Sequence, residues 1–184
     1  MLITITKPVS CWSFRIKLAR VAWGLFSPLF WSAWGRLGSG PRTWALRLFG
    51  ARIGSSSLIC GGVTVWMPWN LVMGDACTLG SGVEVYNFAL ISIGDRTTIS
   101  QYTYLCSATH DYTLPHMPLI MFPITIGTDV WVCARSFVGP RVSIGDGAVI
   151  GACSVVTRAM PAWTVCAGNP CRTIKIREMK EQTS

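Results

Sequence analysis

The chain has 184 residues, is 51% hydrophobic and 13% charged, and carries a formal net charge of +8. An average domain is about one-quarter charged, so this composition excludes a disordered chain, and the length allows one domain with a short appendage. The positive balance points to an anionic partner (nucleic acid, an anionic membrane surface or a phosphate-bearing cofactor) or to solubility alone.

Residues 1–50 stand apart. Met1 to Ser10 is uncharged except for Lys7 and has no apolar run ending in small residues, so it does not read as a signal peptide. "FRIKLARVAWGLFSPLFWSAWGRLG" has fifteen uncharged residues between Arg20 and Arg36, fewer than the roughly 20 that span a bilayer. The pattern predicts a helix from about Ser13 to Phe26, a break at Pro28 and a second short helix. Two roles compete. The segment could pack on the next domain and cover its open edge. Alternatively, residues 11–40, with Trp23, Trp31, Trp34 and their basic neighbours, could rest on the inner-membrane surface. The first is preferred.

From Ile53 a six-residue unit recurs. Units start at Ile53, Ile59 and Val65, then at Met73, Leu79 and Val85, then at Ile93, Ile99 and Leu105. After a gap the count resumes at Ile126 and runs to Ala162. The fifth position of each unit is Ser, Thr, Ala, Val or Cys except at Trp69 and Met160. A helical period of 3.6 cannot give a strict period of six. A three-sided coil can, with each unit supplying one short strand and one corner, so that stacked coils bury their aliphatics as one column. Residues 51–175 are therefore expected to form an all-β solenoid, a parallel β-helix of about five coils. Glycine follows each coil start in "IGSS", "MGDA", "IGDR", "IGTD" and "IGDG". The starts are 20, 20, 33 and 18 residues apart, so the longest insertion, 111–125, follows the third coil. The tail 176–184, "IREMKEQTS", reads as a short polar helix.

The chain's two histidines, His110 and His116, flank the start of that insertion. His110 is its last preceding residue and is expected on a rigid edge, side chain outward. Tyr86, Asn87, Cys106 and Ser107 lead to the same corner, with Asn87 and Ser107 as stacked neighbours. Eight cysteines form no CxxC pair and read as reduced, packing residues of a cytoplasmic protein. No metal site is expected, since ligand spacing is absent.

"ATHDY" and "FPITIGTDVWVCARSFVGPRVSIGDGAVIGACSVVTRAMPAWTVCAGNPCRTI" resemble the hexapeptide-repeat family, the left-handed β-helix acyltransferases, in its galactoside, maltose and serine acetyltransferase branch. "ISQYTYLCSATHDY", "VYN" and "LRLFGARIG" look closest to the colanic acid biosynthesis acetyltransferases. The resemblance implies an acetyl-coenzyme-A-dependent O-acetyltransferase for a sugar hydroxyl, a homotrimer with sites between subunits, and no nucleic acid partner. It implies that His110 is the general base, since an imidazole can take a hydroxyl proton near neutral pH. Asp111 either orients that ring or is a corner residue facing solvent. Asn87, with Ser107 and Tyr86, would meet the acceptor; otherwise Asn87 is a turn residue. The branch's own acceptor asparagine falls at Gly80. Trp131, Ala134, Ala152, Thr157, Arg158, Arg172 and Lys175 match positions along the donor, and Cys133 stands where the family has glycine. His116 is either solvated or lines the acceptor pocket.

Other readings remain: an acetyltransferase for an antibiotic, serine or an amino sugar, or a non-enzymatic scaffold at the membrane. The carbonic anhydrases that share this fold need three zinc histidines, which this chain cannot supply.

Overall fold

The computed structural model describes residues 12–28 and 38–179. Trp31, Trp34, the stretch directly after Pro28 and residues 180–184 lie outside the described residues.

Short parallel strands stack into three sheets around a triangular core, the three-sided coil that the hexapeptide period predicts and the left-handed β-helix that the family resemblance implies. The first face carries Arg52–Ile53, Leu71–Met73, Ile91–Ile93, Ile124–Ile126 and Ser143–Ile144. The second carries Leu58–Ile59, Thr78–Leu79, Thr98–Ile99, Trp131–Val132, Val149–Ile150 and Thr164–Ala167. The third carries Thr64–Val65, Glu84–Tyr86, Tyr104–Cys106, Phe137–Val138 and Val155–Val156. Five turns are complete and a sixth is partial. Each inward residue lies over its equivalent one turn away, as in Ile59↔Leu79 and Leu79↔Ile99, and all three are fully buried.

Corners hold the left-handed backbone conformation in Ala76, Arg96 and Asp129, with Gly147 in the same place one turn on. A left-handed residue with a side chain costs about 1–2 kcal/mol, and hydrogen bonds between turns offset it. The small fifth-position residues make many of those bonds. Thr97 Oγ1 donates to the Gly127 carbonyl at 2.7 Å and accepts from the Val130 amide at 3.0 Å. Ser57 does the same between the Gly74 carbonyl and the Cys77 amide. Where the corner residue is Ser or Thr, its hydroxyl adds a bond between turns to the advantage of its small size.

The period slips once. It predicts Ala162 as an inward residue, but Met160 is buried and bridges Ile144, while Ala162 is exposed. Cys166, expected at a corner, stacks inward on Ile150. Met160 breaks the small-residue rule because it is a core residue. The other exception, Trp69, lies in a 3-10 turn, Pro68–Asn70, that carries the extra residues of the first turn. The insertion also begins earlier and ends earlier than expected. Ala108–His110 and Leu119–Met121 pair antiparallel, and the chain rejoins the first face at Ile124. The tail differs too. Arg172–Ile176 is a strand antiparallel to Thr164–Ala167, and residues 177–179 are irregular, so no helix is present among the described tail residues. The final edge needs a pairing partner, and that requirement overrides local polarity.

Among the described residues, two helices lie over the first turn. α1 is Phe14–Phe26, capped by Ser13, whose hydroxyl accepts from the Ile16 amide; α2 is Ser39–Leu48. A first turn exposes the carbonyls that no earlier turn can meet, and side chains meet one on each face. Arg47 donates to the Ile53 carbonyl at 2.7 Å, Arg42 to Ile59 at 3.2 Å, and Trp23 Nε1 to Val65 at 2.7 Å. Ser39 Oγ accepts from the Ile59 amide at 2.8 Å. Ala45 and Leu46 of α2 close the core's apolar end. Trp23→Phe, which keeps the ring and removes the donor, is expected to cost about 1–3 kcal/mol. A fall in urea midpoint with an unchanged slope would register it; an unchanged midpoint would show that water satisfies Val65 instead.

Candidate functional site

His110 ends the outgoing arm of the hairpin that leaves the third face, opposite Leu119. It is exposed, but on this arm rather than on the rigid solenoid edge. Its Nδ1 lies 2.6 Å from the Met117 carbonyl oxygen. A carbonyl can only accept, so Nδ1 carries the proton and Nε2 keeps a lone pair for a base's work. The loop holds that carbonyl in place. Met117 sits at φ 38° and donates to Leu114, while the Asp111 amide donates to the Pro118 carbonyl at 2.9 Å.

Asp111 does not serve the ring. Its Oδ1 accepts from the Thr113 amide at 3.0 Å and the Thr113 hydroxyl at 2.6 Å. That hydroxyl, and after it the Thr113 amide, holds the carboxyl below the ordinary aspartate value. Asp111 is a turn former, and the partner of Nδ1 is a main-chain carbonyl. His116 is exposed in the loop, near enough to favour the charge on Asp111.

Asn87 and Ser107 are stacked neighbours, as the repeat predicts, since Tyr86 pairs with Cys106. Both side chains are fully buried. Asn87 Oδ1 accepts from the Met67 amide at 2.9 Å, and Nδ2 donates to the Met67 carbonyl at 2.6 Å. Ser107 Oγ donates to the Tyr86 carbonyl and accepts from the Ala89 amide. These two therefore fasten the backbone beneath the hairpin and cannot reach an acceptor directly. Tyr86 differs. Its half-buried ring belongs to a row on the third face with Trp66, Tyr104 and Phe137, spaced 5.2, 6.1 and 5.7 Å. Burial raises its phenol pKa above the ordinary value.

The donor candidates fall into three groups. Ala134 and Ala152 occupy one corner in successive turns, where the Cys153 amide donates to the Ala134 carbonyl. Cys133 lies half-buried beside them, its thiol pKa raised by burial. Trp131 lies on the second face, 49% exposed, and its Nε1 donates to Ser100 Oγ at 2.9 Å. Arg172 and Lys175 are exposed on the last strand of that face. Thr157 and Arg158 follow Val155–Val156, at the far corner of the third face. One chain thus separates the His110 hairpin from Trp131 by a whole side of the prism.

The structure adds residues that sequence reasoning missed. Trp131 borders a cleft of about 400 Å³ with Trp163, Arg96, Asp129 and Arg177. Arg96 grips Asp129 with two bonds of 2.7 and 2.8 Å. Arg177 donates to the Asp129 and Gly147 carbonyls and lies over the Trp163 ring. Among the described residues, no group of three or more His, Cys, Asp or Glu could hold a metal ion.

Residues 123–158 match the family model for the bacterial transferase hexapeptide, six repeats. Over 136 residues the chain is 43% identical to the acetyltransferase WcaF of Escherichia coli (strain K12), provisionally named for colanic acid biosynthesis; the match covers 74% of this chain and 75% of WcaF. The fold superposes on a galactoside acetyltransferase solved in complex with coenzyme A, with a TM-score of 0.84 and 24% identity over 92% of this chain and 86% of that one. It also superposes on a hexapeptide-repeat acetyltransferase from Vibrio cholerae complexed with acetyl-coenzyme A, at TM-score 0.82 and 24% identity over 91% of both chains. Inward aliphatics at every sixth residue, the matched repeats and the identity shared along three-quarters of WcaF together place this chain in the hexapeptide-repeat acetyltransferase family.

Proposed function

We propose that this acetyltransferase moves the acetyl group of acetyl-coenzyme A onto a sugar hydroxyl, with His110 as general base. The observation that carries the reading is the 2.6 Å contact of Nδ1 with the Met117 carbonyl, which leaves Nε2 as the basic atom. Nε2 takes the hydroxyl proton as the oxygen attacks the thioester carbonyl. The C–S bond then breaks, and the imidazolium returns the proton to the departing thiolate. The Met117 carbonyl accepts from Nδ1–H throughout and stabilises the imidazolium as it forms. The transfer is direct, with no covalent enzyme intermediate.

The likeness to WcaF supports an exopolysaccharide sugar as acceptor, and the named galactoside enzyme supports a saccharide. In this reading Tyr86 offers the acceptor an aromatic face. Trp131, Ala134 and Ala152 border the donor's pantetheine arm, and Thr157, Arg158, Arg172 and Lys175 meet its phosphate end. The domain 51–175 carries the chemistry, and α1 and α2 close its end. Because His110 and Trp131 occupy different sides of one chain, the site is completed between copies, with the third-face rings against a neighbour in a trimer. The seven described cysteines are free thiols, which agrees with a cytoplasmic setting.

His110→Ala is expected to lower turnover by about 10²–10⁴ with the oligomer and acetyl-coenzyme A binding unchanged. Thiol release against nucleotide sugars, lipid-linked sugars and glycosides measures it, with serine and amino sugars as competing acceptors; full activity would overturn the assignment. Asp111→Asn is expected to cost less than about tenfold, well short of the loss of a base, since the carboxylate turns the loop and does not touch the ring. A loss as large as that of His110→Ala would return Asp111 to the catalytic centre. Co-expressed His110→Ala and Trp131→Ala chains should regain activity that neither shows alone; no recovery would put both halves of the site on one chain.

A further inference from the structure

α1 has two apolar faces. Ile16, Ala19, Trp23 and Phe26 are turned toward the protein; Trp23 is buried, and both its ring and that of Phe26 pack on Phe49 at 5.0 and 5.1 Å. Trp23 therefore belongs to the core and not to a membrane surface. The opposite face carries Phe14, Leu18, Val21 and Leu25, spaced by four, three and four residues, which is one stripe of a helix. Their exposures are 79, 60, 59 and 76%. Such a stripe on an isolated surface helix calls for an apolar partner.

Charge identifies the partner. Eight of the sixteen Lys and Arg precede Asp75, and none of the eight Asp and Glu do, so the whole net charge of +8 resides in residues 1–74. Residues 75–184 hold eight of each sign, so Arg158, Arg172 and Lys175 do not account for the positive balance. On α1, Arg15 lies on one flank of the stripe and Lys17 on the other, and the helix contains no acid. Arg20, further round, is placed over the Trp12 and Phe88 rings. An apolar stripe between two cationic flanks suits the boundary between acyl chains and anionic headgroups, with the bases reaching the phosphates. A second copy suits it less, because two α1 stripes face to face would oppose like charges. Among the described residues no helix is long and apolar enough to cross a membrane, and α1, at 13 residues, spans about 20 Å, a length that lies along a surface.

We infer that α1 seats the protein on an anionic lipid surface through Phe14, Leu18, Val21 and Leu25, with Arg15 and Lys17 paired to lipid phosphates. The inference rests on the helix surface and holds whatever the acceptor proves to be. The test is flotation of the full chain with phosphatidylcholine vesicles that contain or lack phosphatidylglycerol. The wild type should float with the anionic vesicles and be released as salt rises from about 0.1 to about 0.5 M, which screens the charges. Leu18→Ser with Leu25→Ser should weaken flotation about tenfold or more, and so should Arg15→Glu with Lys17→Glu. Melting temperature and gel-filtration volume should not change. No flotation of the wild type, or equal flotation of the variants, would overturn the inference. A changed gel-filtration volume in the leucine variant would also overturn it and assign the stripe to a contact between copies or with another protein.

Discussion

The backbone ladder between turns is the constraint on which the rest of this molecule depends. Strand amides donate to carbonyls one turn further on, as Cys60 does to Leu79, Gly80 to Ile99 and Ser100 to Val132, while corner amides such as Ala76 and Arg96 donate back to Ser55 and Asp75 of the turn before. Such a stack has no natural end. Its first turn is left with outward carbonyls and its last with an open edge, and a buried or paired-off edge must be satisfied. The chain solves the two ends differently. At the start, Arg47, Arg42 and Trp23 each reach one face's carbonyl. At the finish, the chain folds back as Arg172–Ile176 and supplies a strand. The helices and the terminal hairpin are consequences of the solenoid, because the solenoid exposes what they bind.

The same rigidity explains where chemistry can reside. A lattice with an 18-residue turn leaves little freedom to adjust a catalytic side chain, since moving one residue of a turn disturbs its neighbours above and below. The adjustable part is the excursion between Ser107 and Pro123. There the backbone makes its own pairing and can aim a carbonyl at an imidazole. Ser107 closes its base and bonds the turn beneath, where Asn87 in its place one turn earlier fastens that turn to Met67 of the first. Their full burial makes the base of the hairpin stiff while the His110 ring stays open to solvent.

The inward column was legible because one aliphatic in six has no other use. Ile53, Ile59 and Val65 each begin a unit and each faces the core. The slip at Met160 was less legible, although the residue marked itself by being too large for a corner. The repeat put the exposed His110 next to the insertion, but on a rigid edge rather than on the hairpin arm it occupies, and its tautomer could not be read at all. Met117 acts through its main-chain oxygen, which any residue would offer, so no side chain announces it. Asn87 misled for the converse reason: a polar residue beside a candidate site invites a functional role, and only its burial shows that backbone groups consume both ends of its amide. The tail misled because its polarity suits a helix, whereas the need to close a sheet edge decides a strand.

The division of charge joins these points. Outward positions of a solenoid are free of the core's demands, so the surface is where its sequence can answer to something else. From Asp75 onward the charges balance, and several of the acids are spent on structure, as when Asp75 accepts from the Ser55 amide, Asp95 from the Asp75 amide and Asp146 from the Thr128 amide. Before Asp75 there are bases alone. Arg42 and Arg47 are committed to the first turn's carbonyls, and on α1 Arg20 is committed to the Trp12 and Phe88 rings, which leaves that helix's Arg15 and Lys17 with no structural demand of that kind. A helix needed only to cover an edge would require one apolar face. α1 has a second, flanked by those two bases, and a selective pressure other than folding is needed to account for it.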